Sequence, residues 1–136
     1  MVDNKNMNRQ KLIQYWIESS HDDYDTMLVM FHANRYSWSL FIGHLMIEKL
    51  LKALYVQNHS DYPPYIHNLL RLAEKTGMQI DNDIKEQLIT ITAFNINARY
   101  DDYKMSFKRR CTPAFTAEWI NKLTALRKWI LQLINQ

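Results

Sequence analysis

Three stretches of this 136-residue chain hold side chains that bind anions or move protons. In "HLMIEKLLKALYV", residues 44–56, His44 and Glu48 stand four apart, as do Glu48 and Lys52. On a helix that spacing puts each pair on one face. His44 and Glu48 can share a ligand. Glu48 lies N-terminal to Lys52, the favourable order for an ion pair worth about 0.2–0.5 kcal/mol. In "YPPYIHNLLRL", residues 62–72, His67 follows two prolines. In "FNINARYDDY", residues 94–103, an apolar run ends at Ala98 and releases Arg99, Tyr100, Asp101, Asp102 and Tyr103. A guanidinium holds a phosphate bidentately, and a phenol ring stacks on a base. The spacing predicts that Arg99 to Tyr103 face a cleft, with Asp101 placed to occupy Arg99. No metal centre is expected, because His44 and Glu48 are only two ligands and the single cysteine, Cys111, rules out a cysteine cluster within the chain. No cofactor is expected either, since two glycines cannot form a Gly-rich phosphate loop.

These groups need a scaffold, and the apolar spacing predicts helices. The first is expected from about Asn8 to His32, where Leu12, Ile13, Trp16, Ile17, Tyr24, Met27, Leu28 and Phe31 recur mostly at three- and four-residue steps. "ANRYS" breaks the pattern, and Ser37 reads as the N-cap of a second helix from Trp38 to Asn58. That helix is apolar over most of its circumference and so must be buried, within the chain or against a second copy. "HSDYPPY" stops it, because proline lacks a donor and restricts its neighbour. A short third helix is expected from about Ile66 to Thr76, with Gly77 at its C′ position. Asp81 or Asp83 caps a fourth, carrying Ile84, Leu88, Ile91 and Phe94. Residues 99–112 read as a long connection. Thr112 and Pro113 then read as N-cap and first position of a last helix, striped by Phe115, Trp119, Leu123, Leu126, Ile130 and Leu133. The expected fold is an all-α, up-and-down helical bundle of four long helices plus one short helix, forming one domain over residues 1–136 with its core at about 11–134.

Charge divides unevenly. Residues 1–103 carry 10 Lys/Arg and 13 Asp/Glu, whereas residues 104–136 carry 7 Lys/Arg and one acid, Glu118. A basic C-terminal segment attracts phosphate, although a solvated basic helix face accounts for the same numbers. The N-terminus has no apolar signal-peptide core, and the longest apolar run, Leu40 to Ile47, is too short to span a bilayer. A cytoplasmic protein without a membrane partner is expected.

The three stretches together resemble the HEPN domain family. The matching segments are Glu48-Lys49-Leu50-Leu51-Lys52-Ala53, His67-Asn68-Leu69 and Ala98-Arg99-Tyr100. "WIESSHDDYDTM" before "NRYSWSLFIGHLMIEK" is similar to the family's first two helices, so the resemblance covers roughly residues 11 to 134. It implies an up-and-down bundle that pairs as a homodimer. It also implies a minimal nucleotidyltransferase as partner in a toxin–antitoxin-like module, or a nucleotide-binding role. Glu48, Lys52, His67, Arg99, Tyr100 and Asp101 are the implied ligand-binding residues. Ribonuclease members place a His shortly after the Arg. Here Arg99 is followed by Tyr100 to Phe107 with no His, and none occurs after His67.

Two functions follow. The first is a nucleotide-binding or interaction partner of a nucleotidyltransferase. The alternative is a metal-independent endoribonuclease that uses Arg99 with His67 on RNA. A plain helical dimer without ligand chemistry is the third reading.

Overall fold

The computed structural model describes residues 4–135, with side chains from residue 8 onward. Residues 1–3 and 136 of the expected domain span lie outside the described residues. The order is α1 (Asn4–His32), α2 (Tyr36–His59), α3 (Leu69–Thr76), α4 (Asn82–Arg99), α5 (Asp101–Arg110) and α6 (Pro113–Ile134). Among the described residues there is no strand.

α1 and α2 form a helical hairpin. Asn34 takes the left-handed conformation at φ 62°, which Asn tolerates better than most residues, and Arg35 N–H donates to Met30 O at 2.8 Å. α2 begins at Tyr36, after Arg35, and no side chain caps it. Ser37 is therefore not the N-cap: the turn fixes the helix start one residue before it.

α2 is the central element and packs against α1, α3, α4, α5 and α6. This explains its apolar circumference. Leu40, Met46, Ile47, Leu50, Leu51, Leu54 and Val56 are all buried within the chain itself. Gly43 permits the closest approach. A Cβ there would lie 2.6 Å from Leu123 Cδ1 and 3.0 Å from Met27 Sδ, so α1, α2 and α6 meet at this point. Leu123 is fully buried and cannot retreat into solvent. Overpacking of this kind costs about 1–3 kcal/mol, while replacing a mid-helix glycine returns about 0.5–1 kcal/mol. Gly43→Ala should therefore lower the thermal midpoint by several degrees despite its better helix propensity, and Gly43→Val should lower it further. A midpoint raised by the alanine in a thermal melt would show that the three helices are not in close register.

The remaining caps are local. Asn68 Oδ1 accepts from Arg71 N–H at 3.1 Å and caps α3, which starts at Leu69, three residues later than the expected Ile66; Gly77 ends it at φ 84°. Asp81, rather than Asp83, caps α4 by accepting from Ile84 N–H at 2.8 Å. Thr112 caps α6, with Pro113 at its first position. The expected long connection over residues 99–112 is instead largely helix α5. Asp101 and Asp102 occupy its first turn and Lys108, Arg109 and Arg110 its last, each sign matching the helix dipole. One buried side chain, Phe107, anchors α5 on Phe94, with ring centroids 5.6 Å apart. Phe94 in turn meets Trp119 of α6 edge-on at 5.3 Å. No described helix is long and apolar enough to cross a membrane.

Candidate functional site

One face of α2 carries Phe41, His44, Glu48 and Lys52 at steps of three, four and four residues. Around it gather the loop before α3 and the end of α4. The loop is held in extended form by Pro63 and Pro64, and it delivers His67 to Glu48. His67 Nδ1–H donates to Glu48 Oε1 at 3.0 Å. The other carboxylate oxygen, Oε2, accepts from Lys52 Nζ at 3.4 Å. Glu48 is 6 % exposed and Lys52 8 %, so this pair is buried and more consequential than a surface contact. The Lys52 ammonium also lies 5.0 Å from the Trp16 ring centroid and 5.8 Å from that of Tyr65. Two aromatic faces thus back the cation where water would otherwise stand.

His44 occupies the middle of the face. It is 1 % exposed, and neither ring nitrogen has a hydrogen-bond partner in the protein. Its Nε2 is 4.0 Å from Glu48 Oε1, too far to bond. Burial is the main force holding its pKa down, to about 4, against the pull of Glu48 and of a contact with the His67 backbone; the nearby charges of His67 and Arg99 lower it further. His44 is thus a neutral imidazole at physiological pH, enclosed between the Glu48 group and Arg99.

Arg99, at the last turn of α4, sits beyond His44. Its Nε–H donates to Asn95 O at 3.3 Å, and its guanidinium carbon lies 5.9 Å from both the Phe41 and Tyr100 ring centroids. Phe41 is stacked on His44 at 6.4 Å. No acid pairs with Arg99 among the described residues. Asp101 does not occupy it: its carboxylate lies 3.4 Å from Lys104 within α5, because the helix that forms there brings residues three apart together. Arg99, Tyr100, Asp101, Asp102 and Tyr103 are all exposed.

The structure therefore joins Glu48, Lys52 and His67 directly. It places Arg99 and Tyr100 on the same side of α2, reached through His44 and Phe41, and leaves Asp101 to Lys104. Lys49, next to Glu48, points elsewhere and bridges to Asp23 of α1 at 2.8 Å. Burial raises the Asp23 carboxyl above its ordinary range in spite of that lysine. Trp16, Phe41 and Tyr65 belong to the group without having been expected in it, and His44, read from the sequence only as a possible ligand-sharing partner of Glu48, sits at its centre. The run 41, 44, 48, 52 is a visible signal for Phe41. Among the described residues no set of three acids, histidines or cysteines could hold a metal.

The fold and this polar face define an all-helical protein with a buried carboxylate–ammonium pair, bonded to an exposed imidazole, beside an unpaired arginine. Residues 13–133 match the HEPN domain, and the chain belongs to that family. No curated protein and no solved structure gives a significant match.

Proposed function

We propose that this HEPN chain binds a phosphorylated nucleotide, or the end of a nucleotide chain, over the polar face of α2, through the exposed His67 and Arg99 beside it. We further propose that it does so as the partner of a small nucleotidyltransferase in a toxin–antitoxin-like module. The observation that carries the reading is the unpaired Arg99 in line with His67 and Lys52 on one helix face. Arg99 supplies a planar donor fork, Tyr100 a stacking surface, and His67 an Nε2 not engaged by Glu48. Charge-assisted hydrogen bonds contribute about 1.5–3 kcal/mol each, so a phosphate held by Arg99 depends strongly on it. A 5′-phosphorylated dinucleotide titrated by calorimetry at low salt should lose about tenfold or more in affinity with Arg99→Ala. Equal affinity for wild type and variant would end the assignment.

The same surface supports the proposed homodimer. Its original basis, the apolar girth of α2, is met inside the chain. Among the large apolar side chains left exposed are Trp38, Ile96, Tyr100, Tyr103 and Met105, with Trp38 packed edge-on against Phe41 at 5.7 Å. An aromatic patch around an arginine is characteristic of interface cores. Light scattering at micromolar concentration should give twice the chain mass, and a monomer mass would remove this part of the proposal.

One observation favours the ribonuclease alternative: a carboxylate orients His67 through Nδ1, as it would a general base. Against it, His67 is tied to Glu48 on one side of His44, while Arg99 lies on the other and no imidazole follows it. General acid–base help of about 10²–10⁴ in rate needs the imidazole within reach of the phosphate that arginine holds. The purified protein should therefore cleave single-stranded and structured RNA little or not at all. Cleavage that disappears in both Arg99→Ala and His67→Ala would install the ribonuclease in its place.

A further inference from the structure

A cavity of about 670 Å³ lies between the start of α1 and the end of α2. It falls within the ~300–1,000 Å³ range of small-molecule sites. Leu12 and Val56 form apolar lining, Tyr15 and Tyr62 contribute aromatic rings, and Lys11 and Asp61 add one charge of each sign. Tyr15 is 59 % exposed and Tyr62 77 %, far more than packing of the bundle requires. Arg9 also lines the cavity but is already engaged, donating to the Val56 and Gln57 carbonyls at the end of α2.

This cavity neighbours the polar face, although none of Lys52, Tyr65 and His67 lines it. Val56 follows Lys52 by one helical turn, about 6 Å along the axis. Tyr15 packs edge-on against Trp16 at 5.1 Å, and Trp16 is the ring beneath Lys52. Tyr62 shares its loop with Tyr65 and His67, and Tyr65 meets His67 edge-on at 5.2 Å. Aromatic lining on one side and the exposed His67 imidazole on the other make a bipartite site. One part suits a planar ring system and the other suits an anion.

We infer that the Tyr15–Tyr62 cavity is the base subsite of the nucleotide site, taking a purine-sized heteroaromatic ring whose phosphate meets the exposed His67. The inference rests on the nucleotide-binding reading and gives it a direction. The base lies toward the C-terminal end of α2 and the phosphate one to two turns back along it. Arg99 packs near Phe41, fifteen residues before Val56, or about 22 Å along the axis. It therefore serves a more distant phosphate of a longer ligand and not the phosphate of a mononucleotide.

The test is calorimetric titration of the full chain with AMP, ribose 5-phosphate and inorganic phosphate. Stacking of a base on an aromatic side chain supports about a tenfold preference. AMP should bind at least about tenfold more tightly than ribose 5-phosphate. Tyr15→Ala and Tyr62→Ala should each remove most of that preference without changing ribose 5-phosphate binding, and Tyr15→Phe and Tyr62→Phe should keep it. Both tyrosines are exposed, so their truncation leaves the core intact. His67→Ala should weaken all three ligands. Binding of phosphate and ribose 5-phosphate that depends on His67, with AMP no tighter, would overturn the base subsite and leave the nucleotide site standing without it. AMP binding that depends on the tyrosines but not on His67 would overturn the joined site. Failure of all three ligands to bind at millimolar concentration would overturn the underlying reading together with the inference.

Discussion

Glu48→Ala should lower stability by about 3–5 kcal/mol, the usual cost of removing one member of a buried ion pair. The reason lies in what the carboxylate leaves behind. Lys52 is 8 % exposed and would keep only the faces of Trp16 and Tyr65, which do not replace a hydrogen-bonded carboxylate. His67 would lose the acceptor that fixes its loop. At roughly 3–4 °C per kcal/mol for a chain of this size, the thermal midpoint should fall by about 10 °C or more. The double variant Glu48→Ala/Lys52→Met separates this cause from simple loss of packing. Removing both charges relieves the uncompensated ammonium, so the double variant should be more stable than Glu48→Ala alone. Additive losses in urea denaturation would show that the pair is not coupled.

Acidification should destabilise the protein through His44. Its folded-state pKa is lowered to about 4 from an ordinary 6.5, chiefly by burial. Below pH 6.5 the unfolded chain takes up a proton that the folded chain refuses. Stability therefore falls as pH drops from about 6.5 toward 4, and this contribution levels off below that, where both states are protonated. The shift corresponds to about 3 kcal/mol. His44→Leu should remove this dependence. At pH 7 it should cost little or even stabilise, because it also deletes two buried nitrogens that have no protein partner. Urea midpoints at pH 7.5, 6, 5 and 4.5 check the expectation, with the difference between wild type and variant isolating His44 from the carboxylates. Parallel curves for the two proteins would refute it.

Much of the scaffold was legible because it is written locally. Gly77, Asp81, Thr112 and Pro113 act on backbone within a few residues of themselves, and they end or start helices where their types predicted. The apolar stripe of α6 likewise encodes its buried face. α5 escaped because its signal was electrostatic. It has one buried side chain in ten residues, so apolar periodicity could not reveal it, whereas acids at its start and bases at its end could have. Ser37 misled for the opposite reason: a good capping residue was present, but the preceding turn at Asn34 set the helix start.

The site divides the same way. The sequence by itself determined the residue types, the α2 spacing that stacks Glu48 on Lys52, and the absence of an imidazole after Arg99. All of these depend on side chains within one segment. Which group answers which was decided only by tertiary structure. Glu48 has His67, nineteen residues away, as a second partner because the proline-stiffened loop folds back over α2. Asp101 went to Lys104 and left Arg99 unpaired because residues 101–110 form a helix. His44 became a buried neutral imidazole because α2 is the central helix. Partner choice among charges depends on distance and burial, and both are set by long-range packing that no local spacing records.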